Sequence, residues 1–73
     1  MVRREAFINK IRELNYHYKS QQLRTQLWKQ KGTTNRMFVP SANLLEDDYV
    51  TGALRQAGVA DKEIKSFLAS AKS

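Results

Sequence analysis

Seventy-three residues allow one domain, residues 1–73, and leave no room for a second. A chain this short hides only about 60 % of the surface its unfolded form exposes, so the core is small. There is no cysteine, which excludes a disulfide framework and a thiolate metal site, and the net charge of +6 points towards a polyanionic partner.

The charge is uneven. Residues 1–40 carry nine Lys and Arg against Glu5 and Glu13, a net of +7, and residues 41–73 carry four against five acids, a net of −1. RNA and DNA are the commonest ligands of such a concentration, and solvated surface charge is the ordinary alternative. No apolar run approaches the roughly 18 residues of a membrane span, and MVRREAF lacks the apolar stretch of a signal peptide. A soluble, cytoplasmic protein that does not enter membranes is expected.

From Arg3 to Asn15, Phe7, Ile8, Ile11 and Leu14 recur at helical spacing, with Lys10, Arg12 and Glu13 on the other face. Asn15 is a natural stop because it tolerates left-handed backbone. Tyr16 to Lys19 alternates and suits a short strand, and Ser20-Gln21-Gln22 reads as a turn. Leu23–Gln30 and Arg36–Val39 read as two further strands, joined by a turn over Lys31–Asn35 built on Gly32 and closed by Pro40. A second helix is expected to begin within Asn43–Asp47 and run to Ala57, with Leu45, Tyr49, Val50 and Leu54 inward. Glu46, Asp47 and Asp48 sit in or near its first turn, where the helix dipole favours acids, and Gly58 stands at its C′ position. Asp61 reads as the N-cap of a last helix with Ile64, Phe67 and Leu68 apolar and Lys72 near its end. The order α-β-β-β-α-α defines an α+β fold, a three-stranded antiparallel sheet with helices packed on one face.

The stretch Gln21–Pro40 carries the functional expectation. Side chains alternate along a strand, so Arg24 and Trp28 fall on one side of the first strand, and Arg36 and Phe38 on one side of the second. If both strands keep register these four make a basic-aromatic face, edged by Lys29 and Lys31 and extended by Lys19 from the preceding strand. Cations would neutralise phosphates and an exposed ring would stack on a base, for roughly 1–3 kcal/mol each. The alternative is that Trp28 and Phe38 belong to the core, with Leu23 and Leu27 outward. The basic helix face at Arg3, Arg4, Lys10 and Arg12 is a lesser candidate for phosphates.

The order of elements, the strand ending in Val39-Pro40, and Leu54-Arg55-Gln56-Ala57-Gly58-Val59 followed by Glu63-Ile64 resemble the HicA family of small toxins. The resemblance covers nearly the whole chain. It implies a fold like that of double-stranded-RNA-binding domains, mRNA interferase activity, and control by a HicB-like antitoxin. The family carries a Gly-Ser-His-His-like motif on its second strand, whose histidine is catalytic. Counting back from Val39-Pro40 places Leu23-Arg24-Thr25-Gln26 there, and aligning on the glycine places Gly32-Thr33-Thr34-Asn35 there; neither holds a histidine. The resemblance therefore implies an RNA-associated protein whose interferase site is altered or lost.

His17 is the one side chain whose ordinary pKa suits a general base for attack by a 2′-hydroxyl, and it is the catalytic candidate. In an antiparallel sheet it would share a face with Arg24, Trp28 and Arg36. Zinc is not expected with one histidine and no cysteine, the adjacent acids Glu46, Asp47 and Asp48 would fan out on a helix, and no cofactor is implied. The expectation is RNA binding through the basic-aromatic surface, with docking of an acidic protein partner, such as an antitoxin, as the second reading.

Overall fold

A computed structural model describes residues 1–71, so Lys72, expected near the end of the last helix, lies outside the described residues. The helical spacing of Phe7, Ile8 and Ile11 produces helix α1 (Arg4–Glu13), and all three side chains are buried. Asn15 adopts φ +71° just beyond it, and the amides of Leu14 and Asn15 reach back to the carbonyls of Ile11 and Arg12. Ahead of α1 the chain forms a short strand, β1 (Val2–Arg3), which pairs antiparallel with β5 (Leu44–Leu45), placing Val2 opposite Leu45. The sequence carries no signal for this ladder because two residues show no period.

The main sheet holds β2 (Tyr16–Gln22), β3 (Thr25–Gln30) and β4 (Arg36–Pro40) in the order β2-β3-β4, antiparallel throughout. β2 runs three residues beyond the expected Lys19, and the turn sits at Leu23-Arg24 instead of Ser20–Gln22. Ser20, Gln21 and Gln22 pair with Leu27, Gln26 and Thr25 after an irregularity between Tyr18 and Ser20. Lys19 is the inserted residue, so Lys19 and Ser20 together oppose Leu27.

The loop from Lys31 to Asn35 sets the second register. The Gln30 amide donates to the Asn35 carbonyl at 3.0 Å, which puts Lys29 opposite Arg36 and Trp28 opposite Met37. Trp28 therefore lies on the same face as Tyr16, Met37 and Val39, all buried. Arg36 and Phe38 lie on the opposite face with Leu27, Lys29 and His17. This corrects the expectation that Arg24, Trp28, Arg36 and Phe38 share one face. A one-residue difference in pairing exchanges the two faces of a strand, and loop closure, not alternation within each strand, decides it.

Helix α2 (Asp47–Gln56) begins after Glu46, with Asp47 and Asp48 in its first turn. It ends on Gly58 at φ +89°: the Gly58 amide reaches the Arg55 carbonyl and the Val59 amide reaches Leu54, both at 3.0 Å. This is a Schellman closure, with Leu54 and Val59 both buried beneath it. Helix α3 (Asp61–Ala71) starts at Asp61 itself. The Ile64 amide bonds to the Ala60 carbonyl, and the Asp61 carboxylate accepts from Arg55 Nε at 2.9 Å, so Asp61 braces α2 against α3 and is not the N-cap.

One hydrophobic cluster joins Val2, the α1 residues Phe7, Ile8 and Ile11, the inner sheet face, and Leu45, Val50, Leu54 and Ile64. The fold is α+β, with its core on one side of a three-stranded sheet. No strand residue of that cluster lies on the other side of the sheet, which is left uncovered by the main core although Leu27 at its centre is buried. No helix of the described residues is long and apolar enough to cross a membrane.

Candidate nucleic-acid interface

The uncovered face is built from the outward residues of three strands. His17, Lys29 and Arg36 are directly opposite one another and form a row across the sheet. Such neighbours stand about 5 Å apart at Cβ. The next row on this face is Lys19 with Ser20, then Leu27, then Phe38. Leu27 is buried without joining the main core, whereas Phe38 is 49 % exposed. The face thus sets Lys29 and Arg36, in a row with His17, beside the accessible Phe38 ring.

Its electrostatics follow from where the acids are. No Asp or Glu occurs between Glu13 and Glu46, so the strands and their turns hold Lys19, Arg24, Lys29, Lys31 and Arg36 with no acid among them. Among the described residues the ion pairs are Met1 amine to Asp47, Arg3 to Glu5, Lys10 to Glu63 and Arg55 to Asp61. All lie in the helical layer or the β1 segment. None of the five sheet cations makes an ion pair among the described residues, and Asp48 of α2 lines a hollow with Arg36 and Phe38.

Trp28 is withdrawn from that surface. It is 3 % exposed, its indole N–H donates to Gln26 Oε1 at 3.2 Å, the Tyr18 ring meets it edge-on at 6.0 Å, and the Arg12 guanidinium lies 5.5 Å from its centre. A ring held this way cannot stack on a base. Arg24 stands in the turn that joins β2 to β3, beyond the strand, and Lys31 is exposed in the next loop with its amide bonded to the Asn15 carbonyl. Of the expected contacts, the structure brings Lys29, Arg36, Phe38, Lys19 and His17 onto one face, sets Lys31 and Arg24 at its ends, and removes Trp28.

Several residues that position this face escaped the sequence reading. Gln30 donates its amide to the Leu14 carbonyl at 2.9 Å, while its oxygen accepts from the Thr33 hydroxyl and the Asn35 amide. One side chain thus ties the end of α1 to the loop presenting Lys29, Lys31 and Arg36. Arg4 Nε donates to the Pro40 carbonyl at 2.8 Å, and its guanidinium also bonds Gln26. The Tyr49 hydroxyl donates to the Phe38 carbonyl. Burial pushes the Tyr49 pKa up to about 12, against the opposing pull of Arg4. These bonds occupy carbonyls along the free edge of β4. The available signal was Gln26 and Gln30 on the same parity as Trp28, since polar groups on a buried face must find partners.

The chemistry open to this surface is that of phosphate. Lys29 and Arg36 flank His17 with positive charge, and no carboxylate shares the row. A phosphodiester lying there would meet two cations and the His17 imidazole. Among the described residues no three His, Cys, Asp or Glu side chains converge as metal ligands. The hollow of about 540 Å³ beside α1 is lined by Arg3, Arg4, Glu5, Arg12 and Asn43. Its arginines are engaged, Arg3 with Glu5, Arg4 with Pro40 and Arg12 over Trp28, so the basic helix face contributes structure first. Comparison with protein-family models, with characterised proteins and with solved structures finds no match to this chain.

Proposed function

We propose that this protein binds RNA on the uncovered face of its sheet, as a HicA-like protein whose binding surface has outlasted the family's motif histidine. The observation that carries the reading is the acid-free run of strands on whose outer face Lys19, Lys29 and Arg36 stand, with no ion pair among the described residues, beside the exposed Phe38. Cations supply affinity by displacing counter-ions from phosphates, and Phe38 offers a platform for a base on the same face.

Electrophoretic retention and anisotropy with a labelled mixed-structure RNA test it. With about four phosphates engaged, the logarithm of affinity falls against that of salt with a slope near −3 for a single strand. A slope near zero, or no retention at low salt, refutes the proposal. Strand cleavage is read on the same gel. If the row is also a ribonuclease centre, His17 takes the proton of the 2′-hydroxyl as its oxygen bonds to phosphorus, and Lys29 and Arg36 hold the phosphorane charge. The P–O5′ bond then breaks with the 5′-oxygen taking that proton back from His17, leaving a 2′,3′-cyclic phosphate, and His17→Ala abolishes cleavage while sparing retention.

The same absence of acids favours a second reading, an acidic protein partner such as a HicB-like antitoxin docking on this face. That partner depends more on Phe38, and Phe38→Ala then weakens it more than salt does.

A further inference from the structure

The turn between β2 and β3 is expensive for the folded chain in two ways. Leu23 adopts φ +51°, the left-handed region that leucine disfavours and that Asn or Gly would occupy at less cost. The same side chain is 98 % exposed, the most exposed large apolar group in the protein. Neither cost is offset inside the chain, because nothing packs on Leu23. The turn is nevertheless held firmly. Gln21 Nε2 donates to the Leu23 carbonyl at 2.9 Å and to the Thr25 carbonyl at 3.2 Å, and the Ser41 amide donates to the Arg24 carbonyl at 2.9 Å. A strained, fixed and solvent-facing apolar residue is an outlier of the kind that marks contact sites.

We infer that the Leu23-Arg24 tip is a second contact element for RNA, Leu23 packing on an unpaired base while Arg24 takes the neighbouring phosphate. This rests on the RNA-binding reading above. Three observations choose the ligand. Arg24 belongs to the same acid-free run as Lys19, Lys29 and Arg36, so the tip continues the cationic surface. The apolar groups offered, Leu23 at the tip and Phe38 on the face, need open base surfaces, which a regular duplex hides within its stack. The tip also lies four residues of β3 and half a turn from Lys29, about 15 Å at the rise of a strand. One nucleotide cannot bridge that span, whereas a single strand with the footprint common for such sites can. Lys19, inserted at the irregularity in β2, stands between the two ends.

The geometry makes length the test. Fluorescence anisotropy is measured with a labelled uridine trinucleotide, a uridine dodecamer and a blunt duplex, for wild type, Lys29→Glu and the double variant Leu23→Asn/Arg24→Gln. Asn accepts left-handed backbone, so the double variant keeps the turn and melts no lower than wild type. The expected result is about tenfold weaker binding of the dodecamer by the double variant, with a smaller loss on the trinucleotide, whose two linking phosphates engage less of the span. Equal binding of the dodecamer by the double variant and by wild type, with Lys29→Glu impaired, overturns the tip and leaves the sheet-face reading intact. Failure of wild type to bind any of the three ligands overturns both. An equal loss on the duplex overturns the assignment of Leu23 to unpaired bases.

Discussion

Reversing the charge of Lys29 isolates the sheet face from the rest of the molecule. Lys29 lies between His17 and Arg36, is exposed, and makes no ion pair among the described residues. In Lys29→Glu the new carboxylate faces Arg36 across the strands, a cross-strand pair worth at most about 1 kcal/mol at an exposed site, so folding stability holds or rises slightly. Binding moves the other way. Unit charges about 6 Å apart interact by about 0.7 kcal/mol in bulk water and more near a protein surface. Reversal removes one attraction and adds one repulsion, a loss of at least about 1.5 kcal/mol, or more than tenfold in affinity at low salt. With one phosphate contact fewer of about four, the salt slope falls from about −3 to about −2. Anisotropy titrations at several salt concentrations, paired with urea unfolding, measure both quantities. Lys29→Gln should fall midway in affinity. Unchanged affinity and slope in Lys29→Glu would refute the sheet face as the binding surface. Destabilisation by more than about 2 kcal/mol would show instead that Lys29 packs in a way its exposure denies.

Two further predictions separate core from surface. Trp28→Phe removes the indole bond to Gln26 and part of a buried ring, and should cost about 2 kcal/mol in urea unfolding while leaving the salt slope of binding unchanged. The fluorescence of Trp28 should likewise be blue-shifted and unquenched when RNA is added; strong quenching would mean the ring reaches the ligand. Tyr49 favours its neutral form in the fold, since its pKa is raised from 10.0 to about 12 by burial. Its contribution to stability is complete below pH 10 and is lost as pH rises through 10 towards 12, because the unfolded chain ionises first. Tyr49→Phe should therefore lower stability at neutral pH by about 1 kcal/mol, through the lost bond to the Phe38 carbonyl. It should also flatten the alkaline decline, with a residue left by Tyr16, whose burial raises its pKa too. An undiminished alkaline decline in Tyr49→Phe would contradict this account.

Much of the fold was legible in local pattern. Phe7, Ile8 and Ile11 at helical spacing, Asn15 and Gly58 at helix ends, and acids at the start of α2 each depend on neighbours a few residues away, and the chain obeys them. Alternation in Arg36–Val39 placed Arg36 and Phe38 together correctly, since that too is local. The cationic run free of acids is a property of the sequence and survives any arrangement of its strands.

The site was harder, because its membership depends on pairs far apart in the chain. Trp28 looked equally fit for base stacking or for the core. Only the loop closure from Gln30 to Asn35, which sets Trp28 opposite Met37 and Lys29 opposite Arg36, turned the ring inward and the lysine outward. The turn at Leu23-Arg24 was hidden because Ser20, Gln21 and Gln22 are common in turns, while leucine at positive φ is not. Gln21 and Ser41 hold it there from other strands and loops. Sequence thus determined the helices, the strand-forming segments and the charge they carry, since these follow from neighbours and composition. Tertiary structure alone decided which side of each strand meets water, because register is fixed by contacts between segments and a shift of one residue reverses it.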